Sequence, residues 1–232
     1  MLNFASAPVI KSEKPMTDVA LIIFDCDGVL VDSEPVAHTI LCSYLEPYLG
    51  AESVAIADRC VGRSYADCQR LIESIVDEPL DDIFWNDLQE QTLLTLKTTL
   101  KPDVKLRGLL ESLPVPFCVA SSGTHDKIRM VLGRVGVLDL FEGRIFSAED
   151  VEVGKPEPDL FLRAADRCNT IPEACLVVED SGPGLQAAVS AGMQPCHYVP
   201  GIPDCSPNQI NELAQLVRWL NQDALLVPEC FK

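Results

Sequence analysis

Three short apolar runs punctuate the chain, at residues 19–24, 116–120 and 174–178. Each breaks off into polar residues and glycine: Asp25-Cys26-Asp27-Gly28, Ser121-Ser122-Gly123 and Glu179-Asp180-Ser181-Gly182. Continuous apolar runs of this length, bounded by turn signals, predict strands buried on both faces. Among the later runs, apolar positions recur at helical spacing over residues 105–113, 124–135, 159–167 and 185–191. Strands alternating with helices predict an α/β fold with a parallel, doubly wound, Rossmann-like sheet. Ligands of such sheets bind at the carboxyl ends of the strands. The three polar clusters, far apart in sequence, are therefore expected to meet at one site.

Residues 33–99 break the alternation. Helical periodicity runs through 36–49, 54–60, 65–76 and 82–96, and no strand of useful length interrupts it. The pattern predicts an all-helical insert of about four helices over 33–99, placed after the first strand, with 17–32 and 100–232 forming the sheet domain. Residues 200–207 read as a loop before a last amphipathic helix at 209–220. The first 16 residues mix Lys11, Glu13, Lys14 and Pro15 without an apolar centre, which reads as a flexible extension and not a signal peptide. No apolar run approaches the ~18 residues of a membrane span.

With 232 residues, 47% of them apolar, the chain can bury the core of one large domain or of a domain with an insert. Eighteen basic residues against 35 acidic ones leave a net charge of −17, which argues against a nucleic-acid backbone or an anionic membrane as partner. An anionic ligand would need positive groups supplied locally. None of the ten cysteines forms a C-x-x-C pair, so zinc spacing is absent, and free thiols in a reducing cytoplasm fit better than a disulfide framework.

The first cluster carries the most chemistry. An unpaired charge inside a buried strand is very costly, so Asp25 and Asp27 belong where the strand meets its loop. Strand side chains alternate in direction, and a turn at Gly28 brings both acids round one pocket. Two such carboxylates repel each other unless a cation lies between them, and a hard divalent ion such as Mg²⁺ suits that place. An EF-hand loop is excluded, because the position that needs a glutamate, twelve along from Asp25, is Val36.

Read in order, Asp25-Cys26-Asp27-Gly28, Ser121-Ser122-Gly123, Gly154-Lys155-Pro156-Glu157-Pro158-Asp159 and Glu179-Asp180-Ser181 resemble the four motifs of the haloacid dehalogenase (HAD) superfamily. The helical insert resembles that family's C1-type cap. The likeness covers residues 17–200. It implies that Asp25 is a nucleophile forming an aspartyl-phosphate and that Asp27 is the general acid and base. It implies Mg²⁺ held by the Asp25 carboxylate, the Asp27 carbonyl and Asp180, with Glu179 direct or through water. Ser121 would donate to a phosphate oxygen, backed by the amides around Ser122 and Gly123 near a helix start; a plain helix cap is the alternative there. Lys155 would offset charge on the transferring phosphoryl group.

Dehalogenases of the family lack the second acid, so Asp27 points to phosphoryl transfer. Phosphonate hydrolases carry a small residue at that place and fit less well. A β-phosphoglucomutase-type mutase is the nearer alternative. The position matching its cap histidine is Ala37, beside His38, and that matching its cap arginine is Tyr65, beside Arg63. Both departures favour a phosphatase acting on a small phosphorylated metabolite, a sugar phosphate or sugar-acid phosphate. A non-catalytic metabolite-binding protein is the alternative of another class, and the full motif set argues against it. Glu34, Arg63 and Tyr65 are candidates for substrate specificity. Glu34 is equally explained as an acid at a helix start. His125, His197, Trp85 and Trp219 read as structural or surface residues.

Overall fold

A computed structural model describes residues 18–61, 65–77, 79–202 and 208–221. The expectations for residues 1–16 and for Arg63 fall outside the described residues, as does most of the 200–207 loop. In chain order the elements are β1 (Leu21–Phe24), α1 (Glu34–Leu49), α2 (Ser53–Cys60), α3 (Tyr65–Glu73), α4 (Asp82–Thr99), α5 (Val104–Glu111), β2 (Phe117–Ser121), α6 (His125–Val135), β3 (Ile145–Ser147), α7 (Asp159–Arg167), β4 (Cys175–Glu179), α8 (Gly182–Ser190), β5 (Gln194–Tyr198), β6 (Gln209–Ile210) and α9 (Ala214–Asn221).

The strands form one sheet in the order β3-β2-β1-β4-β5-β6, every pair parallel. The chain builds outward from β1 in one direction and then, from β4, in the other. The crevice of such a sheet opens where the order reverses, at the carboxyl ends of β1 and β4. Alternation along the strands makes two cores. Ile22, Phe24, Phe117, Val119, Leu176 and Val178 pack with α5, α6 and α9. Leu21, Ile23, Cys118, Ala120, Cys175 and Val177 pack with α7 and α8 on the other face. Each large apolar side chain fully buried here contributes about 1.5–3 kcal/mol.

Helices α1 to α4 close round a third core that includes Leu45, Ile56, Cys60, Ile72, Trp85 and Leu88. Both ends of this insert are tied to the sheet, since Val36 and Leu96 pack into the first core. Trp219 also packs there, and Trp85 is buried within the insert.

The final segment corrects one expectation. Gln209 and Ile210 are strand, not helix; they pair with His197 and Tyr198, and α9 starts only at Ala214. The apolar spacing misled because Ile210 and Leu216 are both fully buried, one from a strand and one from a helix. Strands β3 and β5 carry no clear apolar run. The first is a three-residue edge strand, and the second contains Gln194, Pro195 and His197. Pro195 is tolerated because it lies beyond β6, where one side of β5 has no strand partner.

Candidate active site

Asp25 is the first residue past β1, and its N–H still donates to the Val178 carbonyl at 2.9 Å. The chain then turns at once: Val31 N–H donates to the Cys26 carbonyl at 2.9 Å, and Gly28 N–H to the Val31 carbonyl at 2.8 Å. Gly28 sits at φ +80°, and a Cβ there would overlap the Asp180 carboxylate. The turn therefore needs glycine twice over, for its backbone and for the space. Gly28→Ala is expected to cost about 1–3 kcal/mol from backbone conformation alone and to push Asp180 out of place. Urea unfolding followed by circular dichroism checks it; an unchanged midpoint would contradict the close approach.

Five carboxylates gather at the carboxyl ends of β1 and β4: Asp25, Asp27, Glu34, Glu179 and Asp180. Two ammonium groups face them. Lys155, from the loop between β3 and α7, donates to Asp25 Oδ1 at 2.5 Å, to Glu179 Oε1 at 2.7 Å and to the Ala120 carbonyl at 3.1 Å. Its side chain is only 5% exposed and its Nζ lies 4.8 Å from the Phe161 ring centre. Burial alone would depress this ammonium, but Asp25 and Glu179 outweigh it and hold it above its ordinary range. Lys127, in the first turn of α6, donates to Asp27 Oδ2 at 2.8 Å, and Ser33 Oγ donates to Asp27 Oδ1 at 2.7 Å.

The two aspartates are thus held unequally. Both oxygens of Asp27 are engaged. Asp25 has one oxygen on Lys155, and among the described residues its Oδ2 accepts no hydrogen bond. Burial pushes Asp25 up to about 7, with Glu179 and Asp27 adding to the rise and Lys155 opposing it. Burial likewise raises Asp180 to about 8, helped by Glu179, Asp25 and Glu34. No cation reaches the Asp180 carboxylate among the described residues. Glu179 is 1% exposed and differently satisfied: its Oε2 accepts from Ser181 N–H at 2.8 Å and Ser181 Oγ at 2.9 Å. Ser181 also caps α8 through Gly184 N–H, and a Cβ on Gly184 would overlap the Glu179 carboxylate.

Ser121 ends β2 and is buried beside this cluster, one residue past the Ala120 carbonyl that Lys155 touches. Its Oγ accepts from Gly123 N–H at 3.1 Å, so its hydroxyl hydrogen is still available to a ligand. That bond engages the Gly123 amide and leaves the Ser122 and Thr124 amides as the loop's open donors among the described residues. The cap of α6 is Thr124, whose Oγ1 accepts from Lys127 N–H, so Ser121 is not used as a helix cap. Ser147 Oγ braces the loop by donating to the Gly123 carbonyl at 2.6 Å.

Of the specificity candidates, Glu34 lies close enough to Asp180 for its charge to act there. Tyr65 sits on α3, its hydroxyl donating to the Trp85 carbonyl at 3.3 Å and its ring edge-on to Trp85. His38 Nε2 is 2.8 Å from Asp58 of α2, a contact within the helical insert. Sequence reasoning missed Ser33, Lys127 and Ser147. Lys127 had a readable signal: a cation in the first turn of a helix opposes the helix dipole and calls for a nearby anion.

An excess of carboxylates over ammonium groups suits a divalent cation, and all the donors are hard oxygens. Among the described residues no three His, Cys, Asp or Glu side chains converge on one ion. Two carboxylates with a backbone carbonyl and water satisfy Mg²⁺, which keeps much of its hydration.

The haloacid dehalogenase-like hydrolase family model matches residues 19–192. The chain belongs to this family. Haloacid dehalogenase-like relatives include the 6-phosphogluconate phosphatase of Escherichia coli, 24% identical over 79% of this chain and 84% of that protein. The "Probable pseudouridine-5'-phosphatase" of Drosophila melanogaster is 32% identical over 79% of this chain and 83% of that protein. A HAD family hydrolase from Deinococcus radiodurans, crystallised with bound phosphate and sodium, superposes with a TM-score of 0.70 at 25% identity, covering 88% of this chain and 98% of that one. Within the HAD family this chain is a phosphatase. No helix among its described residues is long and apolar enough to cross a membrane.

Proposed function

We propose that this phosphatase is a Mg²⁺-dependent phosphomonoester hydrolase that works through a phosphoryl group carried on Asp25. The observation that carries this reading is the unequal hold on the two aspartates. Asp25 Oδ2 is open to form a bond to phosphorus while Lys155 fixes its other oxygen. Asp27, oriented by Ser33 and Lys127, gives a proton to the leaving oxygen as its bond to phosphorus breaks. In the second half Asp27 takes a proton from water, the water oxygen bonds to phosphorus, and the Asp25–phosphorus bond breaks to release inorganic phosphate. Lys155 and the Ser121 hydroxyl stabilise charge on the transferred group. Asp25, Asp180 and the Asp27 carbonyl would hold Mg²⁺, with Glu179 direct or through water. Bound there, the ion lowers the repulsion between an anionic nucleophile and an anionic ester.

The substrate is a small phosphorylated metabolite with a hydroxylated carbon skeleton, a sugar phosphate or sugar-acid phosphate. The support is that the name of the Escherichia coli relative specifies a sugar-acid phosphate, while that of the Drosophila relative specifies the phosphate ester of a nucleoside, which also carries a sugar. The helical insert, residues 33–99, would act as a cap that covers the site and shuts out bulk water. The test is Mg²⁺-dependent phosphate release from p-nitrophenyl phosphate and a sugar-phosphate panel. Absence of release from folded, Mg²⁺-loaded protein would refute the reading.

The raised acids give a second test. Without metal, Asp25 moves from 3.8 to about 7 and Asp180 from 3.8 to about 8 on folding. The folded chain then holds more protons than the unfolded one between those values. Stability from these two groups is fullest below their ordinary range and is lost as pH rises through about 8. Mg²⁺ needs the deprotonated carboxylates. Its stabilisation of the thermal midpoint is therefore expected to be larger near pH 8 than near pH 5. Scanning calorimetry with and without Mg²⁺ measures both; a larger shift at the lower pH would contradict it.

A further inference from the structure

A second polar pocket lies away from the acidic site, at the open edge of the sheet. It has a volume of about 220 Å³ and is walled by His125, Arg129, Asp150, Arg163 and Arg167 over the edge strand β3. Helices α6 and α7 cover opposite faces of the sheet and meet round this edge. Each contributes two residues four apart, which stand on one helix face: His125 with Arg129, and Arg163 with Arg167. Guanidinium groups from two helices therefore line one concavity.

The charge in this pocket runs against the rest of the chain. The protein carries a net −17, yet three of its arginines converge here. Their local compensation is incomplete. Arg129 pairs with Glu142 at 2.7 Å, but Arg163 reaches Asp150 only at 3.8 Å, and Asp150 also serves His125 at 3.1 Å. Arg167 has no carboxylate within ion-pair reach among the described residues. Charges alone would protect an exposed edge strand from pairing; a concave pocket with guanidinium forks on facing walls is more than that protection requires. Such forks match the oxygens of a phosphate group, two donors at a time. The size suits one phosphate group with a small carbon skeleton. The pocket also stands close behind the Ser121–Gly123 loop: Asp150 accepts from Ser147 N–H, and Ser147 Oγ donates to the Gly123 carbonyl.

We propose that His125, Arg129, Arg163 and Arg167 form a second oxyanion site that binds the phosphate group of a small metabolite, separate from the acidic site. The test is titration of the metal-free, full-length chain with inorganic phosphate, followed by NMR of backbone amides and arginine side-chain Nε–H groups. The Arg163 and Arg167 signals are expected to shift saturably, with their own dissociation constant. In R163E/R167E the constant, followed there on the backbone amides and the Arg129 Nε–H, is expected to weaken by about tenfold or more, as two charge-assisted contacts become repulsive. Turnover of p-nitrophenyl phosphate at low phosphate is expected to remain unchanged. R167Q, a milder exposed change, should weaken the constant read from the backbone amides and the Arg129 and Arg163 side chains by a smaller factor, and it guards against misfolding of the double variant. Shifts confined to residues 121–123 and 155, or an unchanged constant in both variants, would overturn the second site. Because the readout is binding and not hydrolysis, this outcome is independent of whether the acidic site is catalytic.

Discussion

Asp25→Asn is expected to lower phosphate release by roughly four orders of magnitude or more, the range seen when a covalent nucleophile is removed. Asparagine keeps the shape of aspartate and an oxygen for Lys155, so the change removes the attacking atom and little else. Glu179 continues to hold Lys155, and Asp27 keeps Ser33 and Lys127. Stability should move the other way. Burial raises Asp25 to about 7, which means that the folded chain without metal disfavours its charged form. A neutral amide avoids that penalty, so the thermal midpoint of the metal-free variant is expected to match or exceed that of the parent. Two measurements decide the assignment. Single-turnover quenching with a phosphate-labelled substrate should trap labelled protein for the parent and none for the variant. Turnover in the variant within tenfold of the parent would refute Asp25 as the nucleophile, whatever its stability.

The sheet core was legible because three strands lie buried on both faces and must be apolar along their whole length. The peripheral strands were not. Ile145–Ser147 is too short to show a pattern, and β5 carries proline and polar residues tolerated only near an edge. The acids and Lys155 were legible as motif positions, since a buried strand that ends in a carboxylate states a need for a partner. Who partners whom was not. Nothing local in the sequence ties Lys127 to Asp27, a hundred positions earlier, or Ser147 to the Gly123 carbonyl. Those bonds depend on how α6 and β3 are set beside β1 and β2. They also reassign roles within the first reading: Glu179 is held by Lys155 and Ser181, and Asp180 is the acid left without a cation.

Lys155→Met is expected to damage both folding and turnover, and the two effects can be separated. Methionine fills a similar volume and sits well against Phe161, so the change opens no large cavity. It does remove the cation between two buried acids. Glu179 would keep only Ser181 as a donor, and Asp25 would lose its one ion pair. Breaking a buried ion pair from one side costs about 3–5 kcal/mol, because the remaining charge stays buried and unpaired. Urea unfolding should show that loss; a change below about 1 kcal/mol would contradict the three-way contact. Glu179→Gln in the same chain removes one stranded charge while keeping its hydrogen bonds to Ser181, and should recover part of the stability. Turnover should not recover with it. Lys155 also stabilises the transferred phosphoryl group, an effect worth about two to three orders of magnitude for a comparable electrostatic donor. If the double variant regained activity in step with stability, Lys155 would be a structural tie between β1 and β4. If stability returns and turnover stays low, Lys155 acts on the reaction itself.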